Sequence, residues 1–253
     1  METITSRKNA MIVTLRTLAK DAAFRRERQE YLCDGSKFLL EALQSGCEVT
    51  AILWKDLADE ALAGRFSCRQ AAAPAELFDY VSPLMNSPGP LFTVRMPAKA
   101  SRDTPQRAMV LENVQDPGNV GTVLRTANAL GIDCVVLTGA CADVFSPKTV
   151  RATMGAIFRQ RVEVLSFPGL REALSAWGLP LYGAVLSERA KGVLQLDLRH
   201  CAIAVGSEGR GLTEELIALC DEELMIPMRP ESESLNASVA AAILMWEMKR
   251  GTL

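Results

Sequence analysis

The 253-residue chain has a single histidine, His200, and no C-x-x-C pair among its seven cysteines. One imidazole beside an apolar strand is too little for a Ser-His-Asp triad or a tetrahedral zinc site, which needs several ligands set close together. The cysteines (Cys33, Cys47, Cys68, Cys134, Cys141, Cys201 and Cys220) are scattered and odd in number. They fit reduced thiols of a cytoplasmic protein, not a disulfide frame. No apolar run is long enough to span a bilayer. The opening METITSRKNAMIVTLRTLAK lacks the continuous apolar core and small-residue cleavage site of a secretory signal. There is no internal repeat and no low-complexity tract. Aromatics make up only 6% of the residues, which argues against stacking on many single-stranded bases. The expectation is a cytoplasmic protein with no metal and no membrane partner.

What is present is apolar: 49% of the residues are hydrophobic, enough for a large core in one or two domains. The net charge of −2 is uninformative, but its distribution is uneven. Residues 1–40 carry eight Lys/Arg against five Asp/Glu, and residues 106–253 carry fourteen against seventeen. A basic end on an acidic body fits an RNA-facing module, and equally a solvated helix face.

Composition shifts at RMPAKASRDTPQR, where prolines and mixed charge replace apolar residues, so a linker is expected at 96–106. Before it, residues 1–95 read as a small α/β domain: a helix from about Lys8 to Arg28, the strand EYLCDG, the helix SKFLLEALQSG, the strand EVTAILWKD, and further short elements up to PLFTVR. After it, residues 107–253 alternate strictly between continuous apolar strands and amphipathic helices. That is the pattern of a doubly wound parallel sheet, with functional loops at the carboxyl ends of its strands.

Three strand ends are unusual. NVQDPGNVGTVLRTANALG opens a helix whose apolar face is Val120, Val123, Leu124, Ala127 and Leu130, and whose other face carries Gly121, Arg125 and Asn128. AIAVGSEGRGL sets Glu208 inside a glycine loop that matches neither the dinucleotide fingerprint nor a phosphate-binding loop with its lysine. Such a loop is a tight turn or a place where backbone approaches a ligand. MIPMRPESESLNASVAAAI ends a strand and begins a helix; capping accounts for one of Ser234, Asn236 and Ser238 but poorly for all three.

In this order and spacing the three stretches resemble the signature motifs of the SpoU (TrmH-type) RNA 2′-O-ribose methyltransferases of the SPOUT superfamily. FSPKTVRATMGAIF resembles the family's connecting segment, and residues 1–95 are similar to the L30e-like substrate-binding domain often fused ahead of the enzyme. The resemblance implies a trefoil-knotted α/β methyltransferase domain, a homodimer, S-adenosylmethionine as cofactor, and RNA as partner, ribosomal RNA ahead of transfer RNA. Carried onto this sequence, the polar catalytic set falls on Asn119, Arg125, Glu208, Ser234 and Asn236. The cofactor pocket falls on Leu137, Thr138, Gly139, Gly206, Ile226, Met228 and Leu235. Arg125 would either activate the ribose hydroxyl or stabilise the developing alkoxide or adjacent phosphate. The second role is easier for a guanidinium, which is effectively always protonated. Arg7, Lys8, Arg16, Arg25, Arg26, Lys37 and Arg151 are the candidate phosphate contacts, which position RNA without reading its sequence. One departure stands out: Pro230 occupies a place where family members often have glycine. The competing reading is an RNA-binding or ribosome-associated protein that kept the fold without catalysis.

Overall fold

Apolar strands and capped helices alternate along the chain and collect around two separate sheets. The structure, a computed structural model, describes residues 1–97, 103–229 and 234–250. The first stretch contains β1 (Glu2–Thr3), α1 (Ala10–Lys20), α2 (Ala22–Arg28), β2 (Glu30–Asp34), α3 (Ser36–Gln44), β3 (Val49–Lys55), α4 (Glu60–Ala63), β4 (Arg69–Ala73), α5 (Ala75–Val81) and β5 (Leu91–Arg95). Then follow β6 (Arg107–Glu112), α6 (Pro117–Leu130), β7 (Cys134–Thr138), α7 (Pro147–Ala152), β8 (Val162–Val164), α8 (Phe167–Trp177), β9 (Leu181–Ala184), β10 (Lys191–Gly192), β11 (Cys201–Val205), α9 (Glu214–Ile217), β12 (Glu222–Met225) and α10 (Ala237–Arg250). The two-residue strands β1 and β10 carry no periodic signal and were not expected.

By proximity the chain divides into two units, Met1–Ala98 with Asp143–Phe158, and Lys99–Ala142 with Arg159–Leu253. The first is built on a mixed sheet in the order β1-β4-β3-β5-β2, against which Ile12, Leu15 and Leu18 of α1 pack with Leu53, Phe78 and Leu91. The helix expected from Lys8 to Arg28 is broken at Asp21. There the backbone turns extended, and the carboxylate accepts hydrogen bonds from the N–H groups of Ala23 and Phe24, capping a new helix.

Arg25 departs from its expected role as a phosphate contact. Its side chain is 5% exposed, donates to the Leu18 carbonyl at 2.5 Å, and pairs with Asp143 at 2.5 Å. Asp143 begins the segment that chain order assigns to residues 107–253 but that packs within the first unit. The reason is visible in that pair, in the Tyr31–Phe145 ring contact at 4.9 Å, and in the edge contact of Phe38 with Phe158 at 6.1 Å. Removing one partner of a buried pair strands the other charge. Asp143→Ala should therefore lower stability by about 3 kcal/mol, read as a shift in the urea midpoint; a change below about 0.5 kcal/mol, the usual scale for surface sites, would show that solvent satisfies Arg25.

The second unit is a seven-stranded sheet, ordered β10-β12-β9-β11-β6-β7-β8, with every pair parallel. The strands are buried on both faces, as their unbroken apolar sequences require: Ala108 to Leu111, Cys134 to Val136 and Cys201 to Ala204 are all inaccessible. Strand order reverses beside β6, which lies between β11 and β7, and this places a topological switch point at the carboxyl ends of the central strands. All seven cysteines are free thiols. Burial pushes those of Cys134, Cys201 and Cys220 up to about 12, so they stay protonated and unreactive near neutrality. Among the described residues no helix is long and apolar enough to cross a membrane.

Candidate active site

The helix that follows β6 forms where its local chemistry dictates. The Asp116 carboxylate accepts from the Asn119 N–H at 3.0 Å, Pro117 occupies the first turn, and Gly131 closes the helix at φ 67°. Val120, Val123, Leu124 and Ala127 bury one stripe; Gly121, expected on the polar face, is buried beside Val120, and Leu130 at the helix end is only half-buried. Asn119, in the first turn, is thereby held at the carboxyl end of the sheet. Arg125 is six residues further on, about 9 Å along the axis and roughly 120° around it. It is exposed and, among the described residues, its guanidinium has no hydrogen-bond or ion-pair partner.

After β11 the glycine loop doubles back on itself. The Gly211 N–H donates to the Ser207 carbonyl at 2.9 Å, and Gly211 takes the left-handed φ of 66°. A Cβ on Gly206 would lie 2.1 Å from the Gly211 carbonyl carbon, so no side chain fits there while the turn stays closed. Glu208 stands at the exposed tip, where its carboxylate accepts from the Asn119 side-chain amide.

The start of α10 completes the cluster. Asn236 caps the helix: its Oδ1 accepts from the Ser238 N–H at 2.9 Å and from the Ser238 hydroxyl at 2.7 Å. With the oxygen so used, its Nδ2 donates to Asn119 Oδ1 at 3.2 Å. That in turn leaves the Asn119 Nδ2 for Glu208, so both amide orientations follow from one donor–acceptor chain. Capping and site geometry are the same bonds, which is why more polar residues sit here than a cap requires.

A cleft of about 640 Å³ opens beside this chain of side chains, at the ends of β9, β11 and β12. Gly206, Glu208, Ile226, Met228, Ser234 and Leu235 line it, as does Arg210. Pro230 lies outside the described residues. Leu137, Thr138 and Gly139 do not line the cleft, because β7 is separated from β11 by β6. Gly139 instead packs against the Asn113 side chain, whose Oδ1 accepts from the Ala140 N–H at 2.7 Å. The wall that sequence reasoning missed is Ala184, the last residue of β9, with Val185 and Leu186 after it; only its position at a strand end marks it. Of the expected catalytic set, Asn119, Glu208 and Asn236 are joined by hydrogen bonds, Ser234 lines the cleft with Glu208, and Arg125 has no hydrogen bond to any of them.

In the first unit the candidate RNA contacts separate by environment. Lys8, Arg26, Lys37 and Arg151 are exposed. Arg7 pairs with Glu76 at 3.4 Å and lies over the Tyr80 ring, while Arg16 stacks on that ring at 3.5 Å and donates to the Tyr80 carbonyl. Among the described residues there is no cluster of three or more His, Cys, Asp or Glu able to hold a metal ion.

Residues 106–246, more than half of the chain, match the model of the SpoU rRNA methylase family. The chain belongs to that family. It is 32% identical over 251 residues to the 23S rRNA (guanosine(2553)-2′-O)-methyltransferase RlmP of Bacillus subtilis, a match covering 98% of this chain and 100% of the relative. Among solved structures, the SpoU methyltransferase AviRb of Streptomyces viridochromogenes in complex with AdoMet is similar at a TM-score of 0.84 and 26% identity, over 96% of this chain and 98% of that one. The AdoMet-bound rRNA methyltransferase of Sinorhizobium meliloti shares the fold at a TM-score of 0.89 and 23% identity, covering 100% and 98%. As a SpoU methylase the chain is an RNA methyltransferase, and its second unit has the SPOUT fold. There residues of the glycine loop after β11 share the cleft with Met225, Ile226, Met228, Ser234 and Leu235.

Proposed function

We propose that the cleft binds S-adenosylmethionine and that the protein transfers its methyl group to a ribose 2′-hydroxyl of ribosomal RNA. The observation that carries this is the hydrogen-bonded chain Glu208–Asn119–Asn236 on the rim of a cleft floored by a glycine that admits no side chain. The volume suits a cofactor of that size, and Ile226, Met228 and Leu235 supply apolar walls beside polar loop backbone. When bound, the cofactor supplies an electrophilic methyl on a sulfonium leaving group, which is the hard part of the chemistry. What remains for the protein is alignment and charge. The Glu208 carboxylate favours a positive donor at the mouth and fixes Asn119, whose amide positions the ribose. Ser234 and Asn236 shape the loop that closes the pocket. Arg125 stabilises the alkoxide or holds the neighbouring phosphate, and Lys8, Arg26, Lys37 and Arg151 carry RNA on the first unit.

Arg125, about 9 Å along α6 from Asn119 and roughly 120° around it, has no hydrogen bond to the cluster of its own chain, which favours a homodimer in which it serves the partner's cleft. The outer face of α10 supports such a pairing: Val239 and Trp246, seven residues apart on one side, are 48% and 46% exposed. The test is transfer from labelled S-adenosylmethionine to total RNA of cells lacking this activity. Label in ribosomal RNA, recovered as an alkali-resistant 2′-O-methyl nucleotide, is the expected result. RNA binding without transfer would favour a non-catalytic RNA-binding protein, and a base-methylated product would overturn the ribose assignment.

A further inference from the structure

We infer that Glu112 is a positioning residue for methyl transfer: its buried carboxylate pins the far end of the glycine loop at Thr213 and so holds Glu208 against Asn119. Glu112 is the last residue of β6 and is 4% exposed. An ionised carboxylate so placed is costly unless its oxygens are satisfied. Here both are satisfied by one residue: Oε2 accepts from the Thr213 N–H at 2.8 Å and Oε1 from the Thr213 hydroxyl at 2.6 Å. Charge-assisted bonds of this kind are the strong ones.

The topology makes that anchor consequential. β6 and β11 are neighbours in register, Leu111 beside Val205. The glycine loop leaves the sheet at the end of β11, turns through Ser207 to Gly211, and is fastened at Thr213 to the end of the adjacent strand. Thr213 is also the cap of α9, accepting from the Leu216 N–H through its hydroxyl. β6 itself runs on into α6, which carries Asn119. Both partners of the Asn119–Glu208 bond are thus referred to the same strand end, one through α6 and the other through Glu112. Loosening the anchor frees the loop at one end and lets Glu208 drift from Asn119.

This inference rests on the role proposed above for Glu208, and the variants separate the two. Glu112→Gln keeps the shape but offers one acceptor where two donors need two. It should lower kcat roughly tenfold to a hundredfold, the scale on which partners of site residues act, with the KM for RNA unchanged. In a Glu208→Ala background the same substitution should change kcat less than about twofold, because the two residues act along one path. An equal fall in both backgrounds, or no fall in the wild-type one, overturns the inference. Should Glu112→Gln fail to fold, Thr213 decides it: Thr213→Ser keeps both donors and should retain the wild-type rate, while Thr213→Ala should lose rate only where Glu208 is present. A Thr213→Ala rate equal to wild type refutes the anchor. Full transfer by Glu208→Ala alone overturns both readings. Loss in Glu208→Ala with an undiminished Glu112→Gln refutes the positioning role only.

Discussion

Arg125→Ala should reduce methyl transfer by roughly 10²–10³-fold, the cost of removing one preorganised donor from developing negative charge, and should leave cofactor binding and stability unchanged. The second half of that expectation follows from exposure. With no partner among the described residues, the guanidinium contributes nothing to the fold that its removal would take away, and surface changes of this kind stay within about 0.5 kcal/mol. The first half can be sharpened by mixing. If Arg125 serves the partner's cleft, an impaired Arg125→Ala chain and an impaired Glu208→Ala chain, unfolded and refolded together, form heterodimers with one intact site. Random pairing then restores about a quarter of the wild-type activity. Recovery to that level would establish action across the dimer. No recovery, with both variants dimeric, would place Arg125 in the cleft of its own chain.

Gly206→Ala should weaken S-adenosylmethionine binding by roughly a hundredfold, measured by titration calorimetry. The added methyl would meet the carbonyl carbon and oxygen of Gly211 at 2.1 Å, and Leu212 N at 2.4 Å. These are backbone atoms and cannot rotate aside. Overpacking costs about 1–3 kcal/mol, and displacing a closed turn belongs at the upper end, which is about two orders of magnitude in affinity. Gly209 is the internal control. A Cβ there meets nothing within 4 Å, so Gly209→Ala should bind as wild type does. Equal binding by the two variants would mean that the cleft is not the cofactor pocket.

Much of the second unit was legible because its information is local. An aspartate, a proline, an apolar stripe and a terminal glycine spell out α6 from one end to the other, and α7 opens in the same local way on Ser146 and Pro147. Asn119, Glu208 and Asn236 come from three distant stretches. That they would share a site was expected only from the order of the motifs, since periodicity says nothing about which loops meet, and the hydrogen bonds that join them had no sequence signal. What escaped was tertiary in origin. Arg25 has the sequence context of any surface arginine until Asp143 is folded onto it. The break at Asp21 interrupts a stripe that periodicity alone would run through. The cleft wall at the end of β9 is made of alanine, valine and leucine, which carry no chemical mark. Leu137 to Gly139 were placed by resemblance, whereas strand order sets β7 beyond β6 from the cleft. Threading of the chain, finally, leaves no trace in an alternation of strands and helices.

The Asp143–Phe158 segment has a consequence for synthesis. Residues 1–98 leave the ribosome first, yet the unit that they begin draws its Asp143, Phe145 and Phe158 contacts from a segment emerging only after β6, α6 and β7. A nascent chain halted near residue 100 therefore holds Arg25 without its counter-charge and an uncovered face of Tyr31 and Phe38. The domain nearest the amino terminus is completed late, and its maturation waits on translation of the catalytic half.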